Sequence, residues 1–375
     1  MKKQRKYSMA VAAVLIAGMF AGCVQKTPQS EEQTAEMQTV SEQTPAEQTG
    51  KRTITDLSGK QVEIPSAEDI RKVIIVSPPL TATYLNVVKD PSRLIGLHPG
   101  CIRNMNPNLL PMVLPNRENI HTEFLKGFTS NTEEVLKMAP DIILIYGDFQ
   151  REGLENIEIP VVDFFMEDSQ NEVWSVKIDE LMREIFGAPK DDALQKEWDA
   201  ANKIVSEALN KVPENQRKTA IMINTNNKEM FSVRGGNYYG DDWLKKTGLQ
   251  NLAGEMQGDN IPVTMEQIYA WNPDVVYDFG GSDADFYLSG GIEGQDWSMT
   301  KAFQEKAVYD MPKGMFNWGA PNADSPLTLI WMTMKNYPDT IERDFFHQYM
   351  KDFYKRRYQI ELSDEQIQSI LDPEK

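Results

Sequence analysis

The chain has little cysteine and little histidine, and each shortage removes a class of function. Two cysteines, Cys23 and Cys101, allow no disulfide framework and no cysteine-rich metal site. Three histidines, His98, His121 and His347, are scattered, with none of the close spacings that bring imidazoles together on a metal. Catalytic signatures are missing as well. There is no G-x-S-x-G elbow, no Walker-type phosphate loop, no G-x-G-x-x-G turn and no zinc-protease helix. Basic residues are outnumbered, with 39 Lys and Arg against 56 Asp and Glu for a net charge of −17. Such a balance argues against nucleic acid and against a polybasic membrane contact, since both need cationic surface. Long apolar runs are confined to Met9–Phe20, which is too short to cross a bilayer stably.

That run belongs to the most informative stretch of the sequence. Lys2, Lys3, Arg5 and Lys6 precede it, and Phe20-Ala21-Gly22-Cys23 closes it with small residues before a cysteine. A basic start, a short apolar core and a small-residue exit are the parts of a signal peptide, here residues 1–22. The closing tetrapeptide resembles the bacterial lipobox, which implies that Cys23 is lipidated and begins the mature chain. Residues 23–50 are then a lipidated Cys and a disordered linker of Gln, Glu, Thr and Ser, too polar to offset its own ordering entropy. With Cys23 assigned to lipid, Cys101 is left alone and is read as a small buried hydrophobe.

The body after the linker is large for one core and reads as α/β. Strands are expected at Val73–Val76, Leu94–Leu97, Ile142–Tyr146, Val161–Phe164, Ala220–Asn224 and Val275–Tyr277. These are continuous apolar runs separated by helical patterns, as in parallel sheets covered on both faces. Between Pro189 and Val212, Leu194, Trp198, Ala201, Val205, Ala208 and Val212 recur at helical spacing, and Pro213 follows. An internal echo flanks this central helix. Residues 131–147, NTEEVLKMAPDIILIYG, align without a gap on residues 264–280, TMEQIYAWNPDVVYDFG. Each copy opens on an N-cap residue, Asn131 or Thr264, and places a Glu two positions later. Each then runs through a short helix, Pro-Asp and an apolar strand to a closing Gly. The expectation is two similar Rossmann-like lobes: an N-terminal lobe over 51–188, a spanning helix over 189–213, and a C-terminal lobe with C-terminal helices over 214–375.

With these pieces in order, the chain resembles the substrate-binding lipoproteins of ABC importers for iron–siderophore, haem, cobalamin and related metal chelates. Residues 54–65 look like that family's first hairpin, with Ser58-Gly59 as its turn. Residues 70–77 and 93–97 look like its first two strands, and 325–338 like its late helix. The resemblance implies the class III periplasmic-binding-protein fold, in which one long helix joins the lobes. It also implies a monomer with no catalytic residues and no cofactor or resident metal of its own. Its ligand is a small-molecule metal chelate held between the lobes. Its protein partners are an ABC permease and the ATPase subunits, and its site is the outer face of the cytoplasmic membrane, or a membrane-anchored place in the periplasm, through a lipid anchor. In the family an exposed Glu on each lobe docks onto permease arginines, and the matching positions are Glu133 and Glu266. Two rival readings use the same features: a surface sensor or adhesin with this fold, and a secreted hydrolase whose triad is assembled in space.

Ligands of open parallel sheets lie beyond the carboxyl ends of the strands. That rule selects Ser77, Pro78, Pro79, His98 and Asp148 in the first lobe, and Arg234, Asn237, Tyr238, Tyr239, Phe279 and Trp318 in the second. Aromatic faces beside Gly-Gly backbone suit a flat or bulky organic chelate, and Arg234 suits a negative group on it. Trp318, with Trp243 and Trp297, is expected near enough to report binding by fluorescence. Asp283 and Asp285 are a fragment of a calcium loop without its other ligands.

Overall fold

The computed structural model describes residues 50–168, 170–280 and 283–372. Signal peptide, Cys23 and nearly all of the linker lie outside the described residues, as do Gly281 and Ser282. No helix among the described residues is long and apolar enough to cross a membrane.

The first lobe opens with the hairpin β1 (Lys51–Thr55) and β2 (Gln61–Pro65). It continues through β3 (Val73–Ile75), α1 (Leu80–Val87), β4 (Leu94–Leu97), α2 (Pro99–Arg103) and α3 (Leu110–Val113). The small hairpin β5 (Leu125–Lys126) and β6 (Thr129–Ser130) leads into α4 (Thr132–Met138), β7 (Ile142–Ile145) and β8 (Val161–Asp163). Two helices follow, α5 (Asn171–Phe186) and α6 (Ala193–Leu209). The second lobe holds β9 (Thr219–Asn226), β10 (Phe231–Val233), α7 (Tyr239–Lys246), β11 (Gln250–Asn251) and β12 (Ile261–Pro262). It then has α8 (Met265–Trp271), β13 (Val275–Asp278), α9 (Ala284–Leu288), α10 (Lys301–Gln304) and β14 (Val308–Asp310). The chain ends in α11 (Ser325–Asn336), α12 (Arg343–Tyr358) and α13 (Asp364–Leu371).

The first sheet is parallel throughout, in the order β4-β3-β7-β8. In the second, β9, β13 and β14 run parallel. The other edge of β9 is shared, with β11 parallel at its start and β10 antiparallel towards its end. All six expected strands are present. Their unbroken apolar runs reflect burial on both faces, because alternate side chains enter different cores. Val73 and Ile75 of β3 join the large central core, while Ile74 joins a smaller one on the opposite face. Strand β9 divides Ala220 and Met222 from Ile221 and Ile223 in the same way.

The internal echo is structural. Asn131 and Thr264 cap α4 and α8 by accepting from the backbone N–H three residues on. Both helices end on a left-handed residue, Ala139 at φ 49° and Asn272 at φ 43°. The Pro-Asp that follows does the same work twice. Asp141 accepts from the Arg71 and Lys72 amides at 2.7 and 2.8 Å, just ahead of β3. Asp274 accepts from the Thr219 amide at 2.7 Å and the Thr219 hydroxyl at 2.9 Å, at the start of β9. Each aspartate thereby sets its own strand in register beside its neighbour, β7 beside β3 and β13 beside β9.

The central helix is α6, shorter at both ends than the apolar pattern. Asp192 sits at its N-cap, and Leu194, Trp198, Ala201, Val205 and Ala208 are its buried stripe. It packs against α11 and α5. The large core is continuous across both lobes, from Ile54 to Ile370, and the body from Thr49 onward forms one contact unit. The last two helices, α12 and α13, reach back to the first lobe. Arg357 of α12 donates to the Asn86 side chain of α1 at 2.6 Å and to Asp179 of α5 at 3.2 Å, and Asn106 and Asn108 donate to Ser369 of α13.

A ligand cleft between the lobes

Where β3, β4, β7 and β8 end, their following loops form one wall of a cavity of about 810 Å³, and loops of the second lobe form the other. Ser77, Pro78, Pro79 and His98 line the first wall, and Arg234, Asn237, Tyr238, Tyr239 and Phe279 line the second. Nine of the eleven residues expected at the cleft are therefore brought together.

Two are not. Gly147 turns with φ at +83°, and Asp148 swings outward. Its carboxylate is 85% exposed and lies 3.5 Å from Lys60 and 3.7 Å from Arg151; Phe149 and Gln150 face the cavity in its place. Trp318 is wholly buried, and its indole N–H donates to Asp324 at 3.1 Å. The same carboxylate accepts from the Met315 amide and from the Tyr354 and Tyr358 hydroxyls, so Trp318 is a strut between the cleft loop and α12. Trp243 stacks on Trp198 in the large core, and Trp297 lies in the outer core of the second lobe. None of the three tryptophans expected to report binding lines the cavity; Trp174 does.

The remaining lining lies outside the residues that the sequence singled out. Phe128, Tyr146, Phe165 and Trp174 add rings to the first wall and Phe316 to the second. Phe165 stands two residues past the end of β8, within reach of the strand-end rule. Phe128 reaches the site on the β5–β6 turn and stacks on His98, with centroids 4.5 Å apart; no local signal marks it.

Arg234 is buried between Tyr239 and Phe279, with its guanidinium carbon 4.2 and 4.3 Å from the two ring centroids. Its charge is met by Asp259, which the sequence reading missed. The two glycines after Arg234 exist for backbone approach. A Cβ on Gly235 would lie 2.2 Å from the Met256 carbonyl oxygen, and one on Gly236 would lie 2.1 Å from that of Gly254. Both amides donate to this segment, at 2.9 and 2.8 Å, and so bring Asp259 alongside Arg234.

His98 is committed to structure. Its Nδ1 accepts from the Gly100 amide at 2.9 Å as the N-cap of α2, and the ring also bonds the Gly127 backbone. Burial holds its pKa below the usual imidazole value, so the ring is neutral. Burial likewise pushes the pKa of the Tyr146 and Tyr239 phenols upward. Burial pushes the Cys101 thiol up to about 12, leaving it unreactive. No group of three or more His, Cys, Asp or Glu placed to hold a metal ion occurs among the described residues. Asp283 caps α9 by accepting from the Phe286 amide.

Glu133 and Glu266 occupy the same place in the two echoed units, in the first turn of α4 and of α8. Both are exposed. Glu133 pairs with Lys137 at 3.1 Å, and a bond from the Thr264 hydroxyl holds the Glu266 carboxyl below its usual pKa.

Two α/β lobes around an interlobe cleft, with a continuous core behind it, define a class III periplasmic binding protein. The comparisons agree. The family model described as periplasmic binding protein matches residues 111–314, over half of the chain, and the chain belongs to that family. A periplasmic solute binding protein from Veillonella parvula is 28% identical, with a TM-score of 0.70 over 86% of this chain and 97% of its own. The Helicobacter pylori CeuE/Ni-His complex is 16% identical with a TM-score of 0.67, covering 86% of this chain and 99% of its own. Haemophilus influenzae MolA bound to molybdate is 20% identical with a TM-score of 0.68, covering 83% and 99%. At such identities the last two show the fold alone. A comparison with curated proteins finds no match. The chain is an extracytoplasmic solute-binding protein of an ABC transporter. It binds a small ligand for delivery to a permease and does not catalyse a reaction.

Proposed function

We propose that this solute-binding protein is a lipoprotein, tethered through Cys23, that captures a bulky metal chelate in the interlobe cleft. Ferric siderophore, haem and corrinoid are the candidate cargoes. The observation that carries the reading is the cleft itself: about 810 Å³, walled by aromatic rings from both lobes. Cavities of this size and apolarity suit drug-sized or larger organic ligands. The metal would arrive with its coordination supplied by the chelator, because His98 is already engaged and the described residues include no group of three or more His, Cys, Asp or Glu placed to hold a metal ion. Glu133 and Glu266 are the proposed docking carboxylates, each presented to solvent on its own lobe.

Calorimetric titration with ferric siderophores, haem, cobalamin and molybdate tests the cargo, with Trp174 fluorescence as a second readout. One saturable chelate whose signal is lost in Trp174→Phe supports the reading. Saturation by molybdate alone would overturn it. For docking, Glu133→Ala with Glu266→Ala should abolish cellular uptake while ligand binding stays intact; unchanged uptake would remove the docking role.

A further inference from the structure

We propose that Asp163, which stands behind the cleft wall, is a positioning residue for the cargo: its carboxylate fixes the two loops that hold Phe149 and Phe165 against the ligand. The proposal deepens the function given above and rests on the cleft being the ligand site. Phe149 and Phe165 both line the cavity, yet they are 57% and 38% exposed. Rings so little covered gain little from packing, so the backbone beneath them sets where they stand.

Asp163 is the last residue of β8 and is buried. One carboxylate oxygen accepts from the Gly147 amide at 2.7 Å and from the Phe165 amide at 2.9 Å. It thereby joins the loop after β7 to the loop after β8. The other oxygen lies 3.5 Å from the Arg151 guanidinium. Gly147 and Arg151 bracket the 3-10 turn Asp148–Gln150, which carries Phe149. The Gln150 side chain closes this turn by accepting from the Tyr146 amide at 2.8 Å. Both amides and the guanidinium belong to the two loops, so the buried carboxylate is met by the segments that it positions.

The rings follow from this arrangement. A Cβ on Gly147 would lie 3.5 Å from the Phe149 ring and 3.6 Å from the Phe165 ring, so both rest against this one residue. Phe149 meets Phe128 edge-on, and Phe165 meets Tyr146, each pair with centroids 5.4 Å apart. One aromatic surface therefore runs from His98 through Phe128 and Phe149, across Gly147, to Phe165, Tyr146 and Trp174. The second lobe uses the same place in its sheet. Asp310 stands opposite Asp278 as Asp163 stands opposite Ile145, and it accepts from the Ala284 amide at 3.0 Å, at the head of α9. A wall fixed before cargo arrives spares the cost of ordering its rings on binding.

The test reads the rings first and cargo second. The body that begins at Thr49, whose cores all lie within it, is labelled with 4-fluorophenylalanine. Phe149→Leu and Phe165→Leu assign the two fluorine resonances. Asp163→Ala should shift and broaden those two and leave buried rings such as Phe346 and Phe353 unmoved. Asp163→Asn keeps the oxygen that both amides use and should leave all of them in place. Haem and cobalamin are then titrated as cargo probes. Asp163→Ala should weaken the one that binds by about tenfold, because the ligand must now order the rings. It should cost nothing further in Phe149→Leu with Phe165→Leu, through which it acts. Three outcomes would each overturn the positioning role: unmoved Phe149 and Phe165 resonances in Asp163→Ala, equal shifts throughout the core, or an undiminished further loss of affinity in the triple variant. If the two resonances respond as expected but neither probe binds the wild type, the loop role stands and the haem and corrinoid cargoes fall.

Discussion

Burial decides what a carboxylate contributes in this molecule, and Asp324 and Asp278 show two outcomes. Asp324 is fully buried and accepts from one amide, one indole and two phenols, which oppose, without cancelling, the upward push of desolvation on its pKa. Asp278 is buried at the end of β13 with one oxygen bonded to the Gly280 amide and its side chain against the buried Tyr287 hydroxyl. Desolvation, reinforced by the charge of Asp310, pushes its pKa well above the ordinary carboxyl value. An acid whose folded pKa is raised holds its proton more tightly folded than unfolded. Its contribution to stability is complete below the unfolded value, about 4, and is lost as pH rises through the folded value. Asp278→Asn cannot ionise. Urea midpoints followed from pH 4 upward should show the variant gaining steadily on wild type; parallel curves would mean that Asp278 ionises without cost.

Among the elements, the repeated helix–strand unit shows how a dipeptide controls a sheet. A left-handed cap ends the helix, and proline, which has no amide to donate, prevents its continuation. The aspartate then bonds the start of the neighbouring strand, once in each lobe. Asp141→Ala and Asp274→Ala should each cost about 1.5–3 kcal/mol, the scale of hydrogen bonds to a charged acceptor. Because the two sites share no partner, the double variant should lose the sum. Chemical denaturation of the singles and the double measures this, and a double variant no less stable than the worse single would contradict it.

For the whole molecule, the position of the core governs motion. The large cluster passes behind the cleft through α1, α5, α6, α11 and α12 without a break, and Arg357 ties α12 to α1 and α5. Asn171 at the head of α5 bonds Asp242 of α7 through both its amide and its side chain, at 2.9 and 2.8 Å. Opening the lobes widely would break these bonds and expose core. Ligand binding should therefore change the radius of gyration by less than about 1 Å, in the range of preorganised sites. Small-angle scattering with and without saturating ligand would reveal a larger hinge motion if one occurs.

Local order was legible wherever it is written in consecutive residues. Apolar runs marked the six strands because doubly covered parallel strands need no polar face, and the Pro-Asp echo marked two lobes because each copy carries its own caps and strand. The strand-end rule found most of the cleft for the same reason, since Ser77, His98 and Phe279 follow strands in sequence. Tertiary structure alone decided the rest. Trp318 and Asp148 sit in loops like those of true lining residues, yet Asp324 and the Gly147 turn send one inward and the other to solvent. Phe128, Trp174 and Asp259 enter the cleft from elements distant in sequence, and the return of α12 and α13 to the first lobe depends on contacts such as Asn86–Arg357. Patterns within a run report burial and capping, which are local; which side chain meets which across a cleft depends on how separate runs pack, and no spacing encodes that.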